Sequence, residues 1–269
     1  MTCACGHDHP LPVRCEATGT PVELRRPMAG LTGRLICQDA AQVVTALSLL
    51  PDHVRLSREE PGCLRFDLWQ DQDDPSIWHL SELFVDADAL AAHAARTRNS
   101  PWGQQSAAIG RDIRQHEVTP VVRLETRQDA AALDALLRDA FGGGDEVRLL
   151  RRLREDGDLA LSLVADAGGV LLGHVAMSPL QADAPSYLMA PVSVAAKAQG
   201  RSIGTSLVRH ALAWADPAAV VVVGHPGYYG RLGFRPIRLE SPYAGLSLQM
   251  IGGLAPGSAI RPAPAFIGL

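Results

Sequence analysis

The residues that decide the fold read VSVAAKAQGRSIGT over positions 192–205. The preceding pattern predicts a strand at Tyr187–Val194, and the following pattern predicts a helix at Ser202–Ala215. Unpaired N–H groups at the start of a helix, together with the helix dipole, bind phosphate oxygens. Gly200 and Gly204 let a phosphate group approach the backbone closely, and Arg201 adds positive charge. The stretch therefore predicts a strand, a phosphate-binding loop and a helix.

A second informative segment, GHPGYYGRLGF (224–234), follows the apolar strand expected at Ala218–Val223. With both segments, the chain resembles the GNAT superfamily of N-acetyltransferases, and within it the bacterial YhbS-like branch. That family carries Gln/Arg-x-x-Gly-x-Gly/Ala at the coenzyme loop and an aromatic-Tyr-x-x-x-Gly-Phe turn after the next strand. Gln199, Gly204 and residues 228–234 match this pattern, whereas Ser202 stands where the family usually has glycine.

The resemblance covers about residue 118 to the end and implies an acyl-CoA N-acyltransferase fold with acetyl-CoA as co-substrate. It implies that the pantetheine arm lies along Val192–Val194, where the N–H of Val194 or its neighbour polarises the thioester carbonyl. We expect acetyl-CoA binding to survive Ser202, whose hydroxyl can donate to phosphate and favours a helix start. The implied coenzyme-binding residues are Val192, Ser193, Val194, Gln199, Gly200, Arg201, Ser202, Ile203, Gly204 and Thr205.

The resemblance also implies that Tyr229 is the general acid, which protonates the CoA thiolate after a neutral amine has attacked the thioester. The alternative is that Tyr229 only packs, because most buried tyrosines are hydrogen-bonded without catalysing anything. An alkylammonium has an ordinary pKa of about 10.4, so a base or a water chain must take its proton. Glu146, His174 and Ser193 are at suitable positions, and the sequence does not choose between them.

The residues from 119 onward predict a mixed α/β sheet. A strand is expected at Val121–Glu125, followed by amphipathic helices over about 126–141 and 145–154. Two further apolar segments, Leu159–Ala165 and Val170–Ser178, predict a hairpin.

The residues from about 30 to 118 predict a ferredoxin-like βαββαβ domain. After Asp39 a helix is expected, with Val43, Val44, Leu47 and Leu50 on its inner face. A second helix is expected from Asp86 to Ala95. Strands are expected at Leu31–Gln38, Cys63–Gln70, Ile77–Val85 and Ile113–Val118.

Three segments of this domain, EPGCLRFD (60–67), WHLSELF (78–84) and DALAAH (88–93), resemble the antibiotic biosynthesis monooxygenase (ABM) family. Members are dimeric α/β barrels that oxidise aromatic substrates with O₂ and no added cofactor. Many carry a second histidine shortly after His93, which this chain lacks. Trp69, Trp78 and Trp102 either line an apolar pocket or form plain core. We expect a homodimer through this domain, because its sheet should expose one apolar face.

Composition excludes several classes of protein. The chain has 269 residues and a net charge of −4, so it lacks the excess of basic residues that is typical of nucleic-acid-binding proteins. No apolar run approaches ~20 residues, so we expect no membrane span. The N-terminal segment has no basic stretch followed by an apolar one, so we expect no secretory signal, and five sparse cysteines favour the cytoplasm. Residues 1–29 are expected to be a flexible leader that binds no metal. The alternative is a zinc site formed by Cys3, Cys5, His7 and His9.

The predicted organisation is therefore a leader over 1–29, an ABM-like domain over 30–118 and a GNAT domain over 119–269. The main functional prediction is transfer of an acetyl group from acetyl-CoA to an amine in a ternary complex, with the ABM-like domain as an accessory. One alternative is a cofactor-independent monooxygenase acting on an aromatic or quinol substrate. Another is a non-enzymatic protein that binds acyl-CoA or a metabolite.

Overall fold

The structure, a computed structural model, describes residues 22–24, 26–243 and 247–267. The chain divides into two compact units. The N-terminal unit comprises Leu24–Pro120 and the short stretch Ala167–Val170, and the C-terminal unit comprises the other described residues. None of the described helices is long and apolar enough to cross a membrane.

The N-terminal unit contains a four-stranded antiparallel sheet in the order β3-β4-β2-β5. Its connectivity is βαββαβ with one extra short helix, which confirms the ferredoxin-like prediction. After a first strand that belongs to the other unit, β1 (Val22–Glu23), its elements are β2 (Met28–Ile36), α1 (Ala40–Glu59), β3 (Cys63–Gln70), β4 (Ile77–Phe84), α2 (Ala87–Arg98), α3 (Pro101–Gln105) and β5 (Gly110–Val118).

This sheet is open, with β3 and β5 as its edges. Four strands are too few to curve round and pair edge to edge, so the barrel that the resemblance implies is one built by pairing two such sheets. The expected apolar outer face is wrong. Core residues such as Leu35 and Leu80 pack with Trp102 on the helix side. The alternate residues point away, and there Arg34 forms an exposed ion pair with Asp112, with N and O 2.8 Å apart.

Helix α1 turns only part of the predicted face inward. Asp39 caps the helix as expected, accepting a hydrogen bond from the N–H of Gln42 at 2.9 Å. Of the four residues predicted on that face, Leu50 is buried and Val43 packs against the core, whereas Val44 and Leu47 are 61% and 51% exposed. The buried positions recur at helical spacing, so that packing against the sheet, not apolar content alone, sets the helix rotation. They are Ala46, Leu50, His53 and Ser57.

The C-terminal unit is an eight-stranded mixed sheet in the order β1-β6-β7-β8-β9-β10-β12-β11, as the mixed α/β prediction required. The neighbours β9 and β10 are parallel. Its further elements are β6 (Val121–Leu124), α4 (Ala130–Phe141), α5 (Asp145–Glu155), β7 (Leu161–Ala167), β8 (Val170–Pro179), β9 (Ser186–Val194), α6 (Ile203–Ala215), β10 (Ala219–Val223), α7 (Pro226–Tyr229), β11 (Arg235–Pro236) and β12 (Leu248–Ile251).

The end of the predicted leader takes part in this sheet. Val22 pairs with Val122 and Glu23 with Val121, so β1 adds an antiparallel edge strand to β6. Strand β2 also begins at Met28, earlier than the boundary predicted at residue 30. The residues proposed as alternative zinc ligands, Cys3, Cys5, His7 and His9, lie outside the described residues.

Candidate active site

A gap opens in the C-terminal sheet where β9 and β10 separate. Their parallel pairing runs from Ser186 with Ala219 to Leu188 with Val221, whereas β9 continues to Val194. On its other side β9 stays paired with β8. The N–H of Ala195 donates to the carbonyl of Leu172 at 2.8 Å.

The alternation of antiparallel pairing sets the direction of the β9 backbone groups. Because Ala195 bonds toward β8, Ser193 bonds in the same direction, and the N–H and C=O groups of Val192 and Val194 turn toward the gap. The side chain of Gln199 reaches back, and its Nε2 donates to the carbonyl of Val194 at 3.4 Å. The gap therefore presents a strand edge to which an extended ligand arm can add hydrogen bonds.

The gap continues into a cavity of about 670 Å³. This volume lies in the usual range for small-molecule and cofactor sites. All of the predicted coenzyme residues line it except Arg201. The lining residues are Val192, Ser193, Val194, Ala198, Gln199, Gly200, Ser202, Ile203, Gly204, Thr205, Arg209, His225, Tyr228, Tyr229, Arg231 and Leu232.

The loop before α6 contains two left-handed residues, Gly200 with φ of 74° and Ser202 with φ of 65°. Among the described residues, Ser202 is the one non-glycine with positive φ. This conformation crowds a side chain, which explains why the family usually has glycine there. Its side chain makes no capping hydrogen bond, so the helix-start role that we expected for the hydroxyl is not present.

The first turn of α6 packs against Tyr228. A Cβ at Gly204 would lie 2.8 Å from the Tyr228 hydroxyl and 3.2 Å from Cγ2 of Val194. Thr205 forms a hydrogen bond with the Tyr228 hydroxyl, whose pKa is raised mainly by burial. Gly204 is therefore required for close contact between the helix, the strand and the aromatic turn.

Tyr229 lines the same cavity and is 8% exposed. Its ring contacts Tyr228 edge-on, with centroids 4.9 Å apart, and Phe234 at 5.4 Å. Burial, and to a lesser degree Tyr228, raises the pKa of Tyr229 to about 12. The hydroxyl therefore keeps its proton at neutral pH and can donate it.

The three expected bases differ in position. Ser193 lines the cavity although its hydroxyl oxygen is buried, whereas Glu146 and His174 do not line it. His174 is fully buried, and burial together with nearby Arg154 lowers its pKa to about 3. The imidazole is therefore neutral, and the cavity does not reach it.

A hydrogen-bonded chain fixes the tautomer of His174. Its Nε2 lies 2.8 Å from Oγ of Ser162, and the Ser162 hydroxyl donates to Glu125. Because the hydroxyl has one proton, Nε2 must carry the hydrogen in its own bond. Arg154 pairs with the other oxygen of Glu125. This arrangement is a structural network that joins Ser162 on β7 and His174 on β8 to Glu125, which directly follows β6.

Two cationic residues in the cavity were missed by the sequence analysis. Arg209 lies four residues after Thr205, so both occupy one face of α6. Arg231 lies in the turn after Tyr229 and lines the cavity from the other side. Helical spacing from Thr205 was a usable signal for Arg209. Guanidinium groups bind phosphates with matched hydrogen-bond geometry, so both suit an anionic ligand.

The N-terminal unit buries a separate ionisable cluster. Nδ1 of His93 lies 3.0 Å from Oε2 of Glu60, and Arg96 pairs with the other oxygen. Burial, with a contribution from Glu60, raises the pKa of Glu82 to about 8. Burial lowers the pKa of His93. The segment that lacks a second histidine therefore supplies Arg96, a partner for Glu60.

The three tryptophans do not line one pocket. Trp102 is 5% exposed and packs in the core with Trp78. Trp69 is 50% exposed and stacks on His79 outside that core, with ring centroids 5.5 Å apart. Strand alternation separates the side chains of Trp69 and Trp78, because their register positions lie on opposite sheet faces.

Comparisons with known proteins agree with the two units. Residues 39–98 match the antibiotic biosynthesis monooxygenase family, and residues 130–234 match the acetyltransferase (GNAT) family. The uncharacterized N-acetyltransferase YhbS of Escherichia coli K12 is 40% identical over 121 residues, which cover 42% of this chain and 72% of that protein. The uncharacterized N-acetyltransferase YjhQ of the same strain is 32% identical over 127 residues, covering 44% and 70% respectively.

A solved structure extends the comparison to the fold. The crystal structure of E. coli YhbS in complex with CoA matches with a TM-score of 0.52 at 32% identity. The match covers 56% of this chain and 95% of that one. An ABM domain is thus fused to an acetyltransferase domain, and through the latter the chain belongs to the GNAT family of acetyltransferases.

Proposed function

We propose that the protein transfers an acetyl group from acetyl-CoA to an amine by direct attack in a ternary complex. The observation that carries this proposal is the gap between β9 and β10, which leads into a cavity lined by Tyr229. The CoA found in the related E. coli structure supports the choice of coenzyme.

The coenzyme is held along three elements in this proposal. The backbone groups of Val192 and Val194 bind the pantetheine arm as an added strand would. The N–H groups at the start of α6 bind the pyrophosphate, and Arg209 and Arg231 add positive charge. One of the two valine N–H groups also polarises the thioester carbonyl, which stabilises the oxyanion formed on attack.

The reaction requires two proton movements. The amine loses a proton before or during its attack on the thioester carbon, and the C–S bond then breaks. Tyr229 donates its proton to the departing thiolate and recovers one from solvent. Since neither His174 nor Glu146 lines the cavity, we assign the proton of the amine to solvent water in the cavity.

The test is an acetyl-CoA-dependent screen of polyamines, amino sugars and peptide N-termini with the full chain, following CoA release with a thiol reagent. Thermal shift with acetyl-CoA runs in parallel. Stabilisation with turnover supports the enzyme. Stabilisation without turnover of any amine supports the non-enzymatic binding alternative. If acetyl-CoA produces neither stabilisation nor turnover, the proposed coenzyme site is contradicted.

We propose an accessory role for the N-terminal unit, with homodimerisation through it. The exposed side of α1, with Val44 and Leu47, is more apolar than the outer face of the sheet and is therefore the better candidate for the dimer contact. Light scattering at micromolar concentration tests the dimer, and Val44→Lys with Leu47→Lys should weaken it. Buried Cys37, which forms no disulfide among the described residues, supports a cytoplasmic location.

A monooxygenase remains a second candidate function because one observation favours it. The Glu60, Glu82 and His93 cluster lies against aromatic rings, with the ring centroids of Phe66 and Phe84 at 5.3 and 5.0 Å from that of His93. A base in an apolar surrounding can deprotonate a phenol. Oxygen consumption with hydroquinones tests the monooxygenase function. If the wild-type protein consumes no more oxygen than a Glu82→Gln control, this function is contradicted.

A further inference from the structure

A buried glutamine stands in an apolar stretch of β12 near the aromatic turn. Gln249 is 1% exposed, and its neighbours Leu248 and Met250 belong to a hydrophobic cluster. Burying an amide costs free energy unless its hydrogen bonds are made. Within the described residues its Oε1 has no hydrogen-bond partner, whereas its Nε2 donates to the carbonyl of Gly224 at 2.9 Å. Within the described residues, the Gln249 side chain therefore makes its hydrogen bond to one backbone group, the carbonyl of Gly224.

Gly224 is the residue against which the ring of Tyr229 packs. A Cβ at this position would lie 2.4 Å from Cε2 and 3.0 Å from Cδ2 of Tyr229. The backbone of Gly224 is held from both sides, because its N–H donates to the carbonyl of Ser247 at 3.2 Å and its carbonyl accepts from Gln249. Residue 224 also directly precedes the turn that carries Tyr229.

We infer that Gln249 is a positioning residue for Tyr229, acting through the backbone of Gly224. The inference rests on the proposed role of Tyr229 as the acid. Loss of the Gln249 bond frees the Gly224 carbonyl and lets the peptide plane rotate. The ring of Tyr229 then loses its packing contact with Gly224, and its hydroxyl moves away from the sulfur of the departing CoA.

The test is a double-mutant cycle of Gln249→Met and Tyr229→Phe. Methionine keeps the length of the side chain and removes both amide groups. We expect Gln249→Met to lower kcat about tenfold, since small misplacement of a catalytic group has effects of that order or larger. The Kd for acetyl-CoA should stay within about twofold. In the Tyr229→Phe background the same change should leave kcat unaltered, because the hydroxyl that it positions is absent.

Ser186→Ala is the matched control. Ser186 is also buried in this sheet, and its hydroxyl donates to the carbonyl of Ala184 at 2.8 Å. Its loss removes a comparable side-chain-to-backbone bond without touching the turn, so kcat should not change. Assays use the best amine from the screen described above.

A spectroscopic readout follows the ring without turnover. The four tyrosines are labelled with 3-fluorotyrosine, and Tyr229→Phe assigns the resonance of Tyr229. Gln249→Met should shift that ¹⁹F resonance, and Ser186→Ala should not. An unshifted resonance with unchanged kcat overturns the inference, as does an equal loss of kcat in both backgrounds. If Tyr229→Phe itself keeps the wild-type kcat, the acid role fails as well, and acetyl-CoA binding then shows whether the coenzyme site stands.

Discussion

The hydroxyl of Tyr228 lies 2.8 Å from the position that a Cβ would occupy at Gly204. No side chain fits between the start of α6 and the aromatic turn unless Tyr228 moves. Because Tyr228 itself lines the cavity, the contact links the start of α6 to the turn that carries Tyr229.

Gly204→Val should therefore raise the Kd for acetyl-CoA at least about tenfold, which corresponds to about 1.4 kcal/mol. The branched side chain displaces Tyr228 and narrows the approach to the helix N-terminus. Calorimetric titration measures the affinity, and circular dichroism checks the fold. Gly230→Ala is the control, because nothing lies within 4 Å of a Cβ there. Unchanged affinity in Gly204→Val would move the phosphate site elsewhere.

Ser202→Gly should stabilise the protein. The left-handed backbone at φ of 65° costs a non-glycine residue about 1–2 kcal/mol, against about 0.5–1 kcal/mol of extra chain entropy for glycine. The free energy of unfolding should rise by about 0.5–1 kcal/mol, measured by urea denaturation. Gly200→Ala is the reverse case, with φ of 74° and open space around the Cβ, and should destabilise. Equal stability of both variants and the wild type would contradict the strain at this loop.

Tyr229→Phe should separate chemistry from binding. We expect kcat to fall at least about tenfold, toward the low end of general acid effects, because CoA thiolate is a fair leaving group. The KM for acetyl-CoA should stay within a few-fold. Since the pKa of Tyr229 is raised to about 12, its deprotonation should cause no loss of kcat below about pH 10. A wild-type kcat in this variant would favour the packing role for Tyr229.

Glu82→Gln should change how stability depends on pH. Burial raises the pKa of Glu82 from 4.5 to about 8, so the folded chain holds a proton that the unfolded chain has released. Stability contributed by this group is present below about pH 4.5 and is lost as the pH rises toward about 8. Glutamine mimics the protonated acid, so the variant should be more stable than the wild type at pH 8.5, by at least about 2 kcal/mol.

Urea denaturation at pH 5 and pH 8.5 measures this effect, with Glu60→Gln as the control. Glu60 holds Arg96 and His93, so its replacement should destabilise at both pH values. A pH dependence in Glu82→Gln as steep as that of the wild type would show that Glu82 is ionised in the fold.

Local sequence patterns carried much of the fold. The ferredoxin-like order follows from short alternating segments and from Asp39 and Asp86, which cap their helices as carboxylates commonly do. The loop that we propose to bind the coenzyme could be predicted because its residues are contiguous in the chain. The packing of side chains was harder to predict. Val44, Leu47 and Leu50 were predicted on one inner face, yet Leu50 is buried beside Ala46 whereas Val44 and Leu47 are exposed.

The sequence by itself determined the two domain types, because each is marked by short runs of residues with their own local chemistry, and it predicted the coenzyme loop and the role of Tyr229. Only the tertiary structure decided that Arg209, Arg231 and Tyr229 share one cavity, and that Gln249 holds Gly224 under the ring of Tyr229. It also placed His174 in a fully buried position on β8, where burial keeps it neutral. These relationships join residues far apart in the chain, and they depend on strand register and on which face each side chain takes, which composition and spacing do not specify.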